Sequence, residues 1–592
     1  MGLLSNMENR GKLIEFLVLY KTKISILSFL IGVMWLFMLA HHELSPKTYI
    51  SENQLLPGLV NTHFSNTYFA GVVYNELKQE CTDSAIKEKL LSYLKEIGLD
   101  VYSQRFQVIS KKVSGTNIFG IYRSPRASGV ESIILNVPFH GNCSSNGGIS
   151  MMLALAKYFS QQTFWAKDIV FLVTDHQQFG LKAWLNAYYF ENDPDFINED
   201  LNGRAGLLQV AVTIDLHSDH FTHFDLLVDG LNGQLPNLDV FNVVVRIAQY
   251  ESIPLKLSHQ LRFASTSNYA VNLQTLLSMM VVQSTGYPSG NHGMFFKYRV
   301  EAVTLRSVYN RKISDVRYHI GFESLGRFIE GVFRSFNNML ERFHHSYFLY
   351  ILPNAYHYIS IGLYMPAFGC LMLPLVITLL VTWIKLFKLD IPEENRDISE
   401  VRVNASVLSQ IFMTYLMSAS TYYISLWLFS EAFQFKLEVL FILSSLIVFL
   451  HLFFCRVVCR GNEVDFLIFY FLSTIQLAVA ITVLSLLNFS AAYIIGIFYV
   501  ILCLLPYYKT RVTKGLRLLY CILSCPPMMV YLMCVLHCAL KGLTETVLYD
   551  ALELWKLIID YDITNSTLRV WTRNILFYLL LPLWFSFATL VT

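Results

Sequence analysis

Apolar residues are distributed along this chain in two different ways. Between residues 41 and 352 they come as short runs and helical stripes separated by polar turns; elsewhere they form long stretches with almost no charge. In the first region a run at 133–137 ends near His140, and Gly147 and Gly148 then open an apolar-periodic helix over 149–159. A second run, 168–174, meets Gln177, Gln178 and Gly180 before another helical stretch, and a third, 210–214, ends on Asp215. Strand, helix, strand, helix, strand predicts an α/β domain. On one side of this core Ile86, Leu90, Tyr93, Leu94 and Ile97 share a helix face that begins at Asp83. On the other, Leu325, Phe328, Ile329, Val332, Phe333, Phe336, Leu340 and Phe343 form a stripe suited to bracing the domain.

The long apolar stretches predict a multi-pass α-helical membrane protein. Candidate spans lie at 24–40, 358–384, 406–430, 439–455, 466–487, 491–507, 518–540 and 575–591, against the ~20 residues a spanning helix needs. The first is read as an uncleaved anchor, because a long segment precedes it and no small-residue cleavage site follows before His41. Composition agrees: 54% of the 592 residues are hydrophobic and the formal net charge is +2, so nucleic acid is not an expected partner. Basic residues set the orientation. Arg10, Lys12, Lys21 and Lys23, then Lys385, Lys388, Arg396 and Arg402, then Arg456 and Arg460, then Lys509, Arg511, Lys514 and Arg517 all fall on one side of an eight-span chain. The expected organisation is a cytosolic N-terminus (1–23), a first span (24–40), a luminal α/β domain (41–352) and a seven-helix bundle (353–592) with a luminal loop at 541–574. In that loop Leu548, Leu552, Trp555 and Ile559 repeat at helical spacing, which suits an interfacial helix or a contact with the α/β domain.

Smaller features follow from this plan. Asn142 and Asn565 are luminal glycosylation candidates, whereas Asn404 is cytosolic and Asn488 lies too close to the bilayer. Cys81 and Cys143 are either a disulfide in an oxidising lumen or two buried thiols. Cys521, Cys525, Cys534 and Cys538 share one candidate span at helical spacing, which fits packing better than zinc. The spans hold almost no ionisable residue beyond His451 and His537, which argues against a transporter.

The strand ends carry the candidate chemistry. A two-metal hydrolase holds its metals about 3.5–4 Å apart and needs a bridging carboxylate, terminal His or carboxylate ligands and a general base. Residues 55–341 resemble the zinc aminopeptidase family, whose ligands follow H-x-D, a later Asp, E-E, a strand-end Asp and a final D-H. The corresponding positions here are His140 and Asn142, Ser144, Gln177 and Gln178, Asp215, then Asn291 and His292. His140, Asp215 and His292 match, but the bridging carboxylate and both glutamates are absent. An amide takes no proton from water. The expectation is therefore a degenerate metal site made of His140, Asp215, His292, Gln177 and Gln178, with no catalytic residue, metal or cofactor. The alternative is a membrane-anchored metal-dependent peptidase, or a metal-assisted enzyme forming an amide bond, on a single-metal site with an unconventional base; Asp175 and His176, beside the missing glutamates, are candidate substitutes for them.

Four segments are more specific: DGLNGQLPNLD at 229–239, WAKDIVFLV at 165–173, YRVEAVTLR at 298–306 and SIGLYMPA at 360–367. Together they closely resemble the glycosylphosphatidylinositol (GPI) anchor attachment family, accessory subunits of the GPI transamidase complex, over nearly the whole chain. The resemblance implies a multi-pass protein of the endoplasmic reticulum membrane. It also implies partners: other transamidase subunits, including a caspase-like cysteine protease, the GPI lipid and the proprotein C-terminal signal. A pseudo-aminopeptidase subunit that helps bring lipid and proprotein to the catalytic subunit is the function it implies. Residues 229–239 and 298–306 lie near strand ends and are candidate docking surfaces. Lipid recognition is expected in the bundle, where Pro582, like Pro526 and Pro527, removes a backbone donor inside a span and kinks it. A kink that only improves packing is the competing reading of Pro582.

Overall fold

The computed structural model describes residues 7–50, 55, 62–80, 82–126, 128–141, 146–257, 268–309, 320–339, 348–389, 405–428, 463–508, 512–540, 547–564, 568 and 570–591. These fall into two compact units, one of His41–Ser360 and one of Met1–Ala40 with Ile361–Thr592.

The first unit is built on a nine-stranded mixed sheet. Its strands are β1 (Asp100–Val108), β2 (Val113–Tyr122), β3 (Glu131–Pro138), β4 (Asp168–Thr174), β5 (Phe196–Asn198), β6 (Leu207–Asp215), β7 (His223–Leu227), β8 (Leu255–Leu257) and β9 (Glu301–Val308), in the order β5-β1-β2-β4-β3-β6-β9-β7-β8. The central strands β4, β3, β6 and β9 are mutually parallel. Every residue of β4 is buried, which is why it reads as an unbroken apolar run rather than an alternating one. Helices Gly147–Ser160 and Gln178–Tyr188 follow β3 and β4. Each carries a glycine in its first turn for a steric reason: a Cβ on Gly147 would lie 2.6 Å from the Ser218 carbonyl oxygen, and one on Gly180 would lie 2.0 Å from that of Asp175.

Aromatic packing fixes the helices to the sheet. Phe159 stacks obliquely on Trp165, with centroids 4.5 Å apart, and lies 5.5 Å from Phe333. Burial of each such ring contributes roughly 1.5–3 kcal/mol. Helix Phe322–Asn337 buries Leu325, Phe328, Ile329, Val332, Phe333 and Phe336. The described part of the predicted bracing stripe is therefore used inside the α/β unit itself, while Leu340 and Phe343 lie outside the described residues. The same helix carries Glu330, fully buried, which accepts from the backbone N–H groups of His63 and Phe64 (both 2.9 Å) and from the Tyr158 hydroxyl (3.1 Å). A buried carboxylate is tolerated because each oxygen has a partner.

Among its described residues the second unit contains three helices long and apolar enough to cross a membrane: Val18–Met38, Ile361–Leu386 and Val464–Leu487. The first begins six residues before the sequence expectation and ends at Met38 rather than residue 40. The expected span at 518–540 is not one helix. Lys514–Leu523 and Pro526–Leu540 meet at a 73° bend, because Pro526 and Pro527 withdraw two backbone donors and disfavour helix just before them. Shorter apolar helices occupy Phe489–Leu504 and Ile575–Val591, and a further helix spans Ala405–Leu428. The expected span at 439–455, with His451, lies outside the described residues.

The stretch 541–574, where Leu548, Leu552, Trp555 and Ile559 repeat at helical spacing, contains helix Val547–Thr564. Its Ala551 and Trp555 pack against Cys534 and Cys538 of helix Pro526–Leu540, and the Trp555 indole donates to the Pro527 carbonyl (3.1 Å). Leu548 faces outward. Two of the four clustered cysteines thus serve packing. Pro582 follows a π-helical turn, Ile575–Leu580, at the start of helix Leu581–Val591, and is buried. The carbonyls just before it are already bonded, Leu580 by the Tyr499 hydroxyl (3.1 Å) and Phe577 by the Ser418 hydroxyl. Protein hydroxyls, not a lipid head, occupy those two acceptors.

Candidate functional site

The carboxyl ends of β3, β6 and β9 converge on one small group of polar side chains. His140 lies just beyond β3, Asp215 is the last residue of β6, and His217 follows two positions later. The His140 imidazole Nε2 is 2.9 Å from Asp215 Oδ1, His217 Nε2 is 3.7 Å from the same oxygen, and the two imidazoles lie 4.8 Å apart. β9 sets Arg306 in register beside Asp215 and its Nε donates to Asp215 Oδ2 over 3.0 Å. Burial raises the Asp215 pKa, but the hydrogen bond and charge of His140, the charge of His217 and the Arg306 hydrogen bond outweigh it, leaving the carboxyl below the ordinary carboxylate range. Burial lowers the His217 pKa by more than the Asp215 charge raises it, and the charges of His140 and Arg306 lower it further.

Among the described residues, His140, Asp215 and His217 are the one set of three metal-ligand types whose donor atoms all lie within 4.8 Å. They do not fit a two-metal centre. Both Asp215 oxygens are engaged, one by imidazole and one by a guanidinium. Gln177 is exposed, with φ +52 and ψ −116, and Gln178 donates its amide to the Pro288 carbonyl (3.3 Å). His292 is not part of the set. It sits in the 3-10 turn Asn291–Tyr298, fully buried, with Nδ1 2.9 Å from Thr304 Oγ1, and burial pushes its pKa down to about 4. Asn142, Ser144, Asn404, Asn565, Cys81 and Cys143 lie outside the described residues.

Two contributors were missed in the sequence. His217 stood two residues after a strand-end Asp, a D-x-H spacing that was available as a signal. Arg306 had none, since its contact is made across strands 91 residues apart.

Beside this group opens a cleft of about 820 Å³, lined by Lys87, Arg105, Phe106, Phe139, His140 and His176 among others. Asp175 does not reach the His140 group as a substitute ligand. Its Oδ2 is held by Lys87 at 2.5 Å and also accepts the Thr116 N–H at 3.2 Å. His176 is half-exposed and meets Phe106 edge-on, with centroids 6.4 Å apart.

The expected docking surface at 229–239 is mostly internal. All of its residues except Asn232 and Gln234 are buried. Asn232 takes a left-handed φ of +58 and donates its N–H to the Gly286 carbonyl (2.7 Å), while Asn237 caps helix Leu238–Tyr250 by accepting from the Asp239 N–H (2.8 Å). The Asp229 carbonyl accepts the Ser289 N–H (3.0 Å), so the segment braces the turn that presents Asn291 and His292.

Comparison with known proteins gives a consistent picture. Residues 114–588 match the family model described as Gaa1-like, GPI transamidase component. The chain is 28% identical over 559 residues to the GPI transamidase component gaa1 of Schizosaccharomyces pombe, covering 91% of this chain and 89% of that protein. It is 29% identical over 359 residues to the GPI transamidase component GAA1 of Saccharomyces cerevisiae, covering 58% of this chain and 54% of that one. Among solved structures, a putative Zn-dependent exopeptidase from Bacteroides vulgatus is similar at 13% identity and TM-score 0.28, over 46% of this chain and 97% of that one. The LapA aminopeptidase of Legionella pneumophila is similar at 10% identity and TM-score 0.32, over 50% and 77% respectively.

Proposed function

The chain belongs to the Gaa1-like, GPI transamidase component family, and from that membership we propose that it is a non-catalytic subunit with a pseudo-peptidase α/β domain. In this reading the domain faces the lumen of the endoplasmic reticulum, and the subunit helps bring GPI lipid and proprotein to a caspase-like catalytic subunit. The observation that carries the non-catalytic assignment is the Asp215–Arg306 ion pair. A guanidinium stays charged at any physiological pH. It supplies Asp215 with a permanent cation in the place where a hydrolytic metal would need that carboxylate, and it opposes a second cation nearby. Gln177 and Gln178 add the second deficit, since neither amide can accept a proton from water.

The competing reading, a metal-dependent enzyme, has the His140–Asp215–His217 group in its favour. Metal content separates the two. Complex purified with the wild-type chain and with a His140→Gln, His217→Gln chain should carry the same amount of zinc and other transition metals. One metal equivalent lost with the two imidazoles would favour the enzyme. The lipid half of the proposal rests on the family and on Pro582 beside the π-helical turn Ile575–Leu580, where the Leu580 and Phe577 carbonyls are already bonded by Tyr499 and Ser418.

A further inference from the structure

β4 pairs antiparallel with β2 from Ile169↔Tyr122 to Val173↔Ile118. The same register, continued, would set Asp175 opposite Thr116 and Gln177 opposite Ser114. The chain leaves the sheet instead. His176 and Gln177 both take left-handed φ, +50 and +52, a conformation costing a non-glycine residue on the order of 1 kcal/mol or more, and helix Gln178–Tyr188 begins. The Asp175 side chain takes the Thr116 N–H where a strand carbonyl would have stood. Two residues further along β2 no described residue takes the strand's place.

β2 nevertheless runs on to Val113, paired on its other side with Val108 of β1. Backbone groups of alternate residues in an antiparallel ladder point to the same side. The Ser114 N–H and C=O therefore face the same way as the Thr116 N–H, away from β1, and no described residue bonds to them. Ser114 is exposed. This open edge forms one wall of the 820 Å³ cleft, with Phe106, Phe139 and Phe179 as apolar lining. Lys87 is engaged by Asp175, but Arg105, opposite Thr116 in β1 and exposed, has no ion partner among the described residues.

We propose that this edge receives an extended segment of a companion subunit as an added strand. Its backbone pairs with Ser114, an apolar side chain rests on Phe106 and Phe139, and an acidic side chain meets Arg105. A polypeptide is the ligand class that offers N–H and C=O groups at strand spacing. The edge is short, and each net hydrogen bond contributes only about 0.5–1.5 kcal/mol. Such a site holds a strand well only when the strand belongs to a partner already bound elsewhere, which raises its effective concentration. That condition favours a fellow component of the complex over a freely diffusing peptide. The inference rests on membership of the complex and not on whether the domain is inert.

The test uses full-length chain assembled in cells, with a photo-crosslinking amino acid at Val113 in the cleft wall. Irradiated, purified complex should yield an adduct with one companion subunit, mapped to a segment that contains an acidic residue. Arg105→Glu should reduce that adduct roughly tenfold, and Ser114→Pro, which removes the edge donor, should reduce it as well. A crosslinker at exposed Tyr68 should give the same yield in all three backgrounds. Should Ser114→Pro misfold, Arg105→Glu decides alone, because the Arg105 side chain bonds to no described residue. No companion adduct, an adduct only with proprotein or with a second copy of this chain, or a yield unmoved by Arg105→Glu would each overturn the proposal. Metal content and anchor attachment do not enter the readout, so an active metal site would leave this test intact.

Discussion

Asp215 and Arg306 are cross-strand neighbours at the carboxyl ends of β6 and β9, and their side chains close an ion pair of 3.0 Å. The pair is only half-sheltered, with Arg306 43% exposed and Asp215 9%, so its weight lies less in stability than in what it denies to other cations. If the guanidinium occupies the role of a metal, then Arg306→Ala should release Asp215 beside His140 and His217. The variant is expected to bind zinc roughly tenfold more tightly than wild type, a gain of ~1.4 kcal/mol, read by competition with a fluorescent chelator. Equal affinities would show that Arg306 does not guard the carboxylate.

Acid stability should report on His292. Its imidazole titrates near 4 in the folded domain instead of 6.5 because it is fully buried. An unfolded chain therefore takes up a proton that the folded one excludes. This contribution is fully present above about pH 6.5 and is lost as pH falls toward about 4, in total on the order of 3 kcal/mol. Asp215, whose folded pKa is lowered, acts in the same direction below its unfolded value of about 3.9. The thermal unfolding temperature of purified chain should be level from about pH 7.5 to about pH 6.5 and fall from there to about pH 4.5, and His292→Asn should flatten that fall. An unchanged slope in that variant would assign the acid sensitivity to other groups.

Pro582 offers a test of the lipid assignment. With Pro582→Leu the described hydrogen bonds from Tyr499 and Ser418 can persist, so assembly should survive. Recovery of GPI with the purified complex is expected to drop. Normal recovery, or loss only together with misassembly, would leave the proline a packing kink.

The sheet centre was legible in the sequence because fully buried parallel strands are continuous apolar runs, and because Gly147 and Gly180 mark helix starts that a Cβ would obstruct. The polar contacts were harder to read. The Asp215–Arg306 contact depends on strand order, which periodicity does not encode, and His292 looked like a ligand by spacing although its fold position buries it against Thr304. The open edge at Ser114 arises from two left-handed residues, His176 and Gln177, neither of which announces positive φ by its chemistry. In the membrane unit Pro526 and Pro527 were visible, but their identity does not give the 73° angle between the two helices.

The central claim is that the α/β domain performs no metal chemistry in anchor attachment. The most direct measurement is the rate of GPI-anchor attachment in cells whose only copy of this chain carries His140→Gln and His217→Gln, at matched abundance and assembly of the complex. Removing the ligands of a working metal costs several orders of magnitude, since the bound water regains its ordinary pKa. The account predicts attachment within about twofold of wild type. A correctly assembled complex in which attachment is abolished would contradict it.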